Sequence, residues 1–348
     1  MIDINAHVLL IYTGGTIGMI ENLETGALEP FNFSHLRSNV PEMKRLNFYV
    51  DSYIFDPLID SSEISPIKWR EMVEVVKANY SKYDGFVMLH GTDTMSYTAS
   101  ALSFMFDNLT KPIIFTGSQL PIGKLRTDGK ENLITALEIA ADKDIDGHPI
   151  VPEVCIYFQN LLFRANRTTK INAENFNAFT SANFTPLAEA GVTIRYNPND
   201  VLKPNYSKEV IFYESLDDSV AVLKIFPGIS HEVVGAVLNI HNIKAVVLET
   251  YGSGNALRDE WFISELRNAV ERDIVIVNVT QCLYGNVEMF RYETGQLLLK
   301  AGVISGFDLT TEAAIAKLMF LFGLNKTPSE VRKLMQIPLR GEMTSNHI

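Results

Sequence analysis

Apolar residues along this chain fall into two alternating patterns. Short apolar runs, rich in β-branched and aromatic residues, have the length of buried strands. Longer segments carry an apolar side chain every three to four residues, which is the period of an amphipathic helix. The predicted strands lie at 7–12, 85–90, 113–116, 154–158, 221–226, 245–248 and 274–279. The predicted helices lie at 66–80, 96–106, 131–141, 232–240, 259–271 and 311–322.

This alternation predicts the fold class. Strands that alternate with helices form mostly parallel sheets whose two faces are covered by helices. The stretch 196–219, "YNPNDVLKPNYSKEVIFYESLDDS", breaks the pattern because it is rich in the residues of turns and linkers. We therefore expect a doubly wound α/β N-terminal domain (1–200), a linker (201–218) and a smaller α/β C-terminal domain (219–348).

Composition narrows the classes of function. The 348 residues are 47% hydrophobic and 20% charged, with a net charge of −11. That balance is typical of a globular protein and disfavours a nucleic-acid surface, which needs clustered Lys and Arg. We expect no membrane span and no signal peptide, because long apolar runs and a basic N-terminal region are missing from the sequence. The two cysteines, Cys155 and Cys282, form no CxxC pattern, so we expect a reducing cytoplasm.

Two polar loops follow predicted strands and are the candidates for chemistry. The first is "YTGGTIG" (12–18) and the second contains "HGTDT" (90–94). Loops at the carboxyl ends of parallel strands converge on one crevice. The crevice would then hold Thr16, Thr92 and Asp93, which suggests a hydroxyl nucleophile. Such a nucleophile needs a base, and a buried neutral lysine that a carboxylate orients is one candidate.

Simpler interpretations of these residues remain open at this point. The first loop matches neither GxGxxG nor the P-loop pattern, so it could be only a tight turn. A threonine at a strand end often just caps the backbone. His90 ends an apolar strand, and we predict a structural role for it. No cluster of Cys and His has zinc-ligand spacing, and we predict no metal.

Beyond local spacing, "TGGTIG" (13–18) and "HGTDTMSYTASAL" (90–102) resemble the two signature segments of the asparaginase family. The resemblance covers nearly the whole chain and is greatest to the bacterial cytoplasmic type I L-asparaginases. It continues in order through "DSSEISPIKW" (60–69), "TGSQLPIGKLRTDGKENL" (116–133), "NRTTKINAENFNAF" (166–179), "LAEAGVTIR" (187–195), "YGSGNA" (251–256), "VNVTQCLYGNV" (277–287) and "AGVISGFDLTTEAAIAKL" (301–318).

This resemblance implies hydrolysis of L-asparagine to L-aspartate and ammonia, without a cofactor. Thr16 would attack the side-chain amide and form an acyl-enzyme. Thr92, Asp93 and Lys170 would form a second set that activates water, Thr16 or both. Backbone N–H groups beside Thr92 would polarise the amide carbonyl, a contribution of roughly 3 kcal/mol per donor.

The resemblance also implies how the substrate and the subunits are arranged. Asp60, Ser61, Thr92 and Asp93 would contact the substrate, the carboxylates holding its α-ammonium and the hydroxyls its α-carboxylate. The family forms homotetramers, as dimers of dimers with active sites near domain interfaces. Asn255 would reach a neighbouring active site across such an interface.

Two departures from the family pattern stand out. The lid that follows the first loop commonly has a tyrosine, where this chain offers Ala27 or Leu28. Thr169 and Cys282 match a second asparagine site that activates some type I enzymes. Glu249 stands where those enzymes have an arginine, and a carboxylate would repel an effector's carboxylate. We therefore predict that allosteric activation is lost or altered.

Three alternatives carry different expectations. A broader amidohydrolase would also accept L-glutamine or D-asparagine, because one methylene discriminates weakly. A transamidation subunit would have an added domain before the first signature, which here begins at residue 13, and it is disfavoured by the acidic charge. An amino-acid sensor would need only Asp60, Ser61 and Asp93, so the presence of Thr16, Thr92 and Lys170 together favours catalysis.

Overall fold

The structure is a computed structural model that describes residues 5–21, 28–30 and 40–344. It divides into two compact units, Met1–Glu214 and Ser215–Ile348. Each unit has a mostly or wholly parallel sheet with helices, so the predicted α/β class is confirmed. No helix within the described ranges has the length and apolar character needed to cross a membrane.

The first unit is built on one eight-stranded sheet. Five adjacent strands, from Val154–Phe158 to Tyr49–Ile54, run parallel, and the other three are joined to them and to each other by antiparallel pairing. The order across the sheet is Ile194–Tyr196, Ala188–Ala190, Leu161–Arg164, Val154–Phe158, Ile113–Thr116, Gly85–Leu89, His7–Tyr12 and Tyr49–Ile54. The described part of this unit has three α-helices, Pro66–Asn79, Met95–Met105 and Gly129–Ala141.

The central strands have continuous apolar sequences because both faces of the sheet are buried there. Val8 and Leu10 pack in one cluster with Leu133 and Leu137 of helix Gly129–Ala141. Leu9 and Ile11 of the same strand point to the opposite face, as alternation requires, and are also buried. The remaining two helices are joined by a hydrogen bond of 3.0 Å from Trp69 Nε1 to Thr98 Oγ1.

The second unit has a four-stranded parallel sheet. Its strand order is Val220–Lys224, Ala245–Thr250, Val275–Thr280 and Ile304–Ser305. Its helices in the described part are His231–Leu238, Glu260–Glu271, Glu293–Lys300, Thr311–Gly323 and Pro328–Met335. A second apolar cluster, which includes Val246, Phe262 and Leu298, forms the core of this unit.

Short strand pairs complete the described structure. Strands Met19–Glu21 and Leu28–Pro30 pair, and Thr169–Lys170 pairs with Phe179–Thr180. Strand Ile211–Phe212 lies inside the stretch predicted as a linker and pairs with Phe106–Asp107. The division into units falls after Glu214, and the predicted domain limits stay a prediction. Of the two lid positions, Ala27 lies outside the described residues, as does the side chain of Leu28.

Candidate active site

Three loops are tied together where parallel strands His7–Tyr12 and Gly85–Leu89 end. Thr13 donates to the Leu89 carbonyl through its N–H at 3.0 Å and through its hydroxyl at 2.9 Å. The Ile59 N–H donates to the Thr13 carbonyl at 2.7 Å. The convergence that the strand pattern predicts is thus built from hydrogen bonds of the loop backbones.

Glycines allow these loops to approach closely. Gly15 has φ of 94°, and a Cβ on it would lie 2.5 Å from the Gly91 nitrogen. A Cβ on Gly91 would collide with Ser61 Oγ. Side chains at either position would force the loops apart. The paired glycines therefore keep Thr16 and Thr92 in adjoining loops, with Ser61 beside them.

Lys170 joins the two polar residues of the second loop. Its Nζ donates to Thr92 Oγ1 at 2.8 Å and to Asp93 Oδ1 at 2.7 Å. The side chain of Lys170 is 18% exposed, whereas that of Asp93 is 70% exposed. Strand pairing of Thr169–Lys170 with Phe179–Thr180 fixes the backbone from which the lysine extends. The amine is held between a hydroxyl and a solvated carboxylate.

The third loop presents Asp60 and Ser61. Asp60 Oδ1 accepts from the N–H and the hydroxyl of Ser62, both at 2.9 Å. These two hydrogen bonds, the backbone one first, lower the pKa of Asp60 and keep it anionic. Ser61 is buried, and its carbonyl accepts from Thr94 Oγ1 at 2.7 Å. Thr94 therefore links this loop to the one that carries Thr92 and Asp93.

Sequence reasoning from the strand ends missed Gln119. Thr92 Oγ1 donates to Gln119 Oε1 at a long 3.4 Å, and Gln119 Nε2 donates to the Asn175 carbonyl at 3.0 Å. The Gln119 N–H itself donates to the Asp128 carboxylate. The sequence feature that could have pointed to Gln119 and Asp128 is their position in the family-like segment "TGSQLPIGKLRTDGKENL" (116–133). Gln119 therefore gives the Thr92 hydroxyl an acceptor, while Lys170 is its donor.

The other predicted residues lie outside this cluster of contacts. Thr169 precedes Lys170 in its strand and pairs with Thr180. In the second unit, Asn255 Oδ1 accepts from Thr294 Oγ1 at 2.6 Å, and Cys282 is an exposed free thiol. Glu249 accepts from Thr311 Oγ1 at 2.6 Å and lies 3.4 Å from Lys224 Nζ.

The described residues contain no group of three or more His, Cys, Asp and Glu side chains arranged to hold a metal ion. The side chains brought together around Thr92 offer hydroxyls, one amine and carboxylates. Such a set can attack a carbonyl and move protons between oxygen and nitrogen.

Comparison with known proteins identifies the family. The model of the asparaginase N-terminal domain matches residues 7–202, and that of the glutaminase/asparaginase C-terminal domain matches residues 219–335. The chain belongs to the asparaginase family. The first asparaginase model spans Thr16, Thr92, Asp93 and Lys170, and the second spans Asn255.

Individual relatives agree with this membership. L-asparaginase 1 of Escherichia coli strain K12 is 45% identical over 97% of this chain and 98% of its own length. The human protein named 60 kDa lysophospholipase is 41% identical over 97% of this chain and 61% of its own length. The crystal structure of L-asparaginase I from Vibrio cholerae superposes with a TM-score of 0.88 at 43% identity, covering 98% of this chain and 99% of that one. The asparaginase fold is therefore shared along nearly the whole chain.

Proposed function

We propose that this chain hydrolyses L-asparagine to L-aspartate and ammonia, with Thr16 as nucleophile and Thr92, Asp93 and Lys170 as its proton-transfer set. The observation that carries the proposal is the pair of hydrogen bonds from Lys170 to Thr92 and Asp93. A hydroxyl is a weak nucleophile near neutral pH and needs such a neighbouring base. The similarity to proteins named L-asparaginase supports the choice of substrate.

The proposed reaction has two displacements. Thr16 Oγ1 attacks the side-chain carbonyl carbon of asparagine, and the hydroxyl proton is carried to the amide nitrogen. The C–N bond then breaks, ammonia leaves, and a β-aspartyl ester remains on Thr16. Water attacks the ester, a proton from that water returns to Thr16 Oγ1, and aspartate is released. Lys170 serves the activation of water, of Thr16 or of both through Thr92.

Binding of the amino-acid part of the substrate is proposed for the loop carrying Asp60 and Ser61. An anionic Asp60 suits the α-ammonium group, and Asp93 offers a second carboxylate. The hydroxyls of Ser61 and Thr92 suit the α-carboxylate. The lowered pKa of Asp60 keeps this carboxylate charged near neutral pH.

Replacing Lys170 by Met is expected to lower kcat by about 10²- to 10⁴-fold, the usual range for a lost acid–base group. Aspartate binding, measured by calorimetry, should change much less, because Met keeps the apolar stem. Lys143→Met is a matched control, since Lys143 is equally exposed at 18% and pairs with Asp84 at 2.9 Å. Equal losses of kcat in both variants would contradict the assignment of Lys170.

A substrate panel tests the proposed function itself. Ammonia and aspartate are measured after incubation of the wild type with L-asparagine, L-glutamine or D-asparagine. Stoichiometric ammonia and aspartate from L-asparagine supports the proposal. Comparable rates with L-glutamine or D-asparagine would favour the broader amidohydrolase. Binding of asparagine without release of ammonia would favour the sensor.

Allosteric activation is proposed to be lost or altered because of Glu249. We expect plots of rate against asparagine to be hyperbolic at several pH values. Glu249→Gln keeps an acceptor for Thr311 and removes the charge. Sigmoidal kinetics in the variant alone would identify the carboxylate as the cause, whereas sigmoidal kinetics in the wild type would contradict the prediction.

A cytoplasmic location and a homotetramer are proposed by analogy with the relatives. We propose that Asn255 reaches the active site of a neighbouring subunit in that tetramer. Sedimentation equilibrium measures the assembly directly, and a monomer with full activity would overturn both the tetramer and the role of Asn255.

A further inference from the structure

His90 lies immediately before the loop that carries Thr92, and only 2% of its surface is exposed. Its N–H donates to the Thr116 carbonyl at 3.0 Å, which holds its backbone against the adjacent strand. Its ring packs edge-on against Phe115 at a centroid distance of 5.9 Å. Both the backbone and the ring of His90 are therefore held in one place.

The ring makes one hydrogen bond, of 2.7 Å, between Nδ1 and the carbonyl oxygen of Gly91. A carbonyl oxygen can only accept, so Nδ1 must carry the proton. Nε2 has no hydrogen-bond partner in the part of the chain that the structure describes, and it is buried. A proton there would be an uncompensated buried charge, so the ring is the neutral Nδ1–H tautomer.

That hydrogen bond fixes one peptide plane. The Gly91 carbonyl and the Thr92 N–H belong to the same trans peptide, so they point in opposite directions. Holding the carbonyl toward the His90 ring therefore aims the Thr92 N–H away from that ring. None of the described residues accepts a hydrogen bond from this N–H.

A glycine at position 91 makes this control necessary. Glycine has no Cβ, so its flanking peptides rotate more freely than those of other residues, and a side chain there would collide with Ser61 Oγ. The close packing of the loops thus demands a residue that leaves the peptide orientation loosely defined. The His90 side chain supplies the missing constraint.

We infer that His90 is a positioning residue, which orients the Thr92 N–H as a hydrogen-bond donor to the oxyanion formed when Thr16 attacks the substrate. The inference rests on the proposed function and replaces the purely structural role that the sequence suggested for His90. A preorganised donor acts mainly on the transition state, because the negative charge develops only there.

Three substitutions separate positioning from packing. Asn places an amide nitrogen where Nδ1 was, Gln places one near Nε2, and Leu has no donor. We expect His90→Leu and His90→Gln to lower kcat by about 10- to 100-fold with little change in KM or aspartate binding. His90→Asn should recover most of the lost kcat.

Several results would overturn the inference about His90. Equal kcat losses in Asn, Gln and Leu variants that remain folded and bind aspartate would overturn the inference. So would a Leu variant with wild-type kcat, or one whose only defects are thermal stability and KM. A wild type that releases no ammonia would instead overturn the proposed function, which makes the two failures distinguishable.

A measurement on the wild type guards against variants that fail to fold. Burial lowers the pKa of His90 to about 4, the hydrogen bond to the Gly91 carbonyl opposes this shift, and no charged side chain contributes. In protein labelled with ¹⁵N-histidine, one ring should keep the neutral Nδ1–H tautomer from pH 8 to pH 5. If every histidine ring in the protein protonated near pH 6.5, the result would contradict this geometry.

The same burial predicts a pH effect on stability. Between pH 6.5 and 4 the unfolded chain binds a proton at His90 that the folded chain does not, so folding weakens as pH falls. This group should contribute up to about tenfold in the unfolding equilibrium constant per pH unit. His90→Asn has no group that binds this proton, so its stability should fall less steeply with acid than that of the wild type. Identical slopes would show that His90 titrates normally.

Discussion

Thr16→Ala is expected to lower kcat for L-asparagine by at least about 10³-fold, since removing the nucleophile of a cooperating set costs that much or more. Thr92→Val should also be severely impaired, because it removes the hydroxyl that Lys170 contacts. Aspartate should still bind Thr16→Ala, since Asp60 and Ser61 are untouched, and should bind Thr92→Val more weakly, since that variant also lacks a hydroxyl proposed for the α-carboxylate. The measurement is steady-state ammonia release, with aspartate binding by calorimetry as the test of folding.

Thr327→Ala serves as the control for that experiment. Thr327 caps helix Pro328–Met335 in a capping box with Glu330. Its loss should cost about 1 kcal/mol of stability without changing kcat. If Thr327→Ala and Thr16→Ala lowered kcat alike, the effect would be a general one on folding and Thr16 would lose its role.

Glu342→Gln is expected to destabilise the protein by about 3–5 kcal/mol, the usual cost of breaking a buried ion pair. Glu342 and Lys317 are both 0% exposed and lie 2.6 Å apart. Burial lowers the pKa of Lys317 despite its partner, whereas Lys317 and backbone N–H groups outweigh burial and lower that of Glu342. Removing the carboxylate charge leaves the ammonium without compensation.

Glu342 and Lys317 also form hydrogen bonds with backbone groups, and the replacements are chosen with those bonds in mind. Glu342 accepts from the N–H groups of Leu339 and Arg340, and Lys317 donates to the Ile337 carbonyl at 2.6 Å. Gln keeps the acceptor for those N–H groups, so Glu342→Gln combined with Lys317→Met should recover much of the lost stability. Urea unfolding of the single and double variants measures this coupling.

An exposed ion pair provides the matched control for the buried one. Arg258 and Glu293 lie 3.3 Å apart but are 67% and 72% exposed. Arg258→Gln should change the free energy of unfolding by less than about 1 kcal/mol, because water screens such pairs. A similar small effect for Glu342→Gln would mean that the C-terminal segment opens readily and that the pair is solvated.

Buried strands were predictable from the sequence, and exposed ones were not. Strand His7–Tyr12 is buried from Val8 to Tyr12 because both of its faces are covered there, so its apolar run is unambiguous. Tyr49–Ile54 forms the sheet edge and is mostly exposed, and its sequence "YVDSYI" lacks a clear apolar run. Only pairing with His7–Tyr12 makes it a strand. Tertiary context decides such segments, and local pattern does not.

Some features of the candidate site were likewise predictable from the sequence, and others were not. The rule that strand-end loops converge predicted that the loops of Thr16 and Thr92 adjoin. Lys170 carries no local signal, because its contacts with Thr92 and Asp93 join residues far apart in the chain. Only resemblance to a family pointed to it. The proposed orientation of the Gly91–Thr92 peptide by His90 depends on where one buried ring points, which no sequence pattern encodes.

The most direct test of the central claim is to locate the covalent intermediate. The wild type is mixed with saturating L-asparagine, quenched in acid and digested, and the peptide containing Thr16 is analysed by mass spectrometry while the initial burst of ammonia is measured. A β-aspartyl ester on Thr16, absent from Thr16→Ala, is the predicted result. An ester on Thr92, or a stoichiometric burst of ammonia with Thr16 unmodified, would contradict the mechanism.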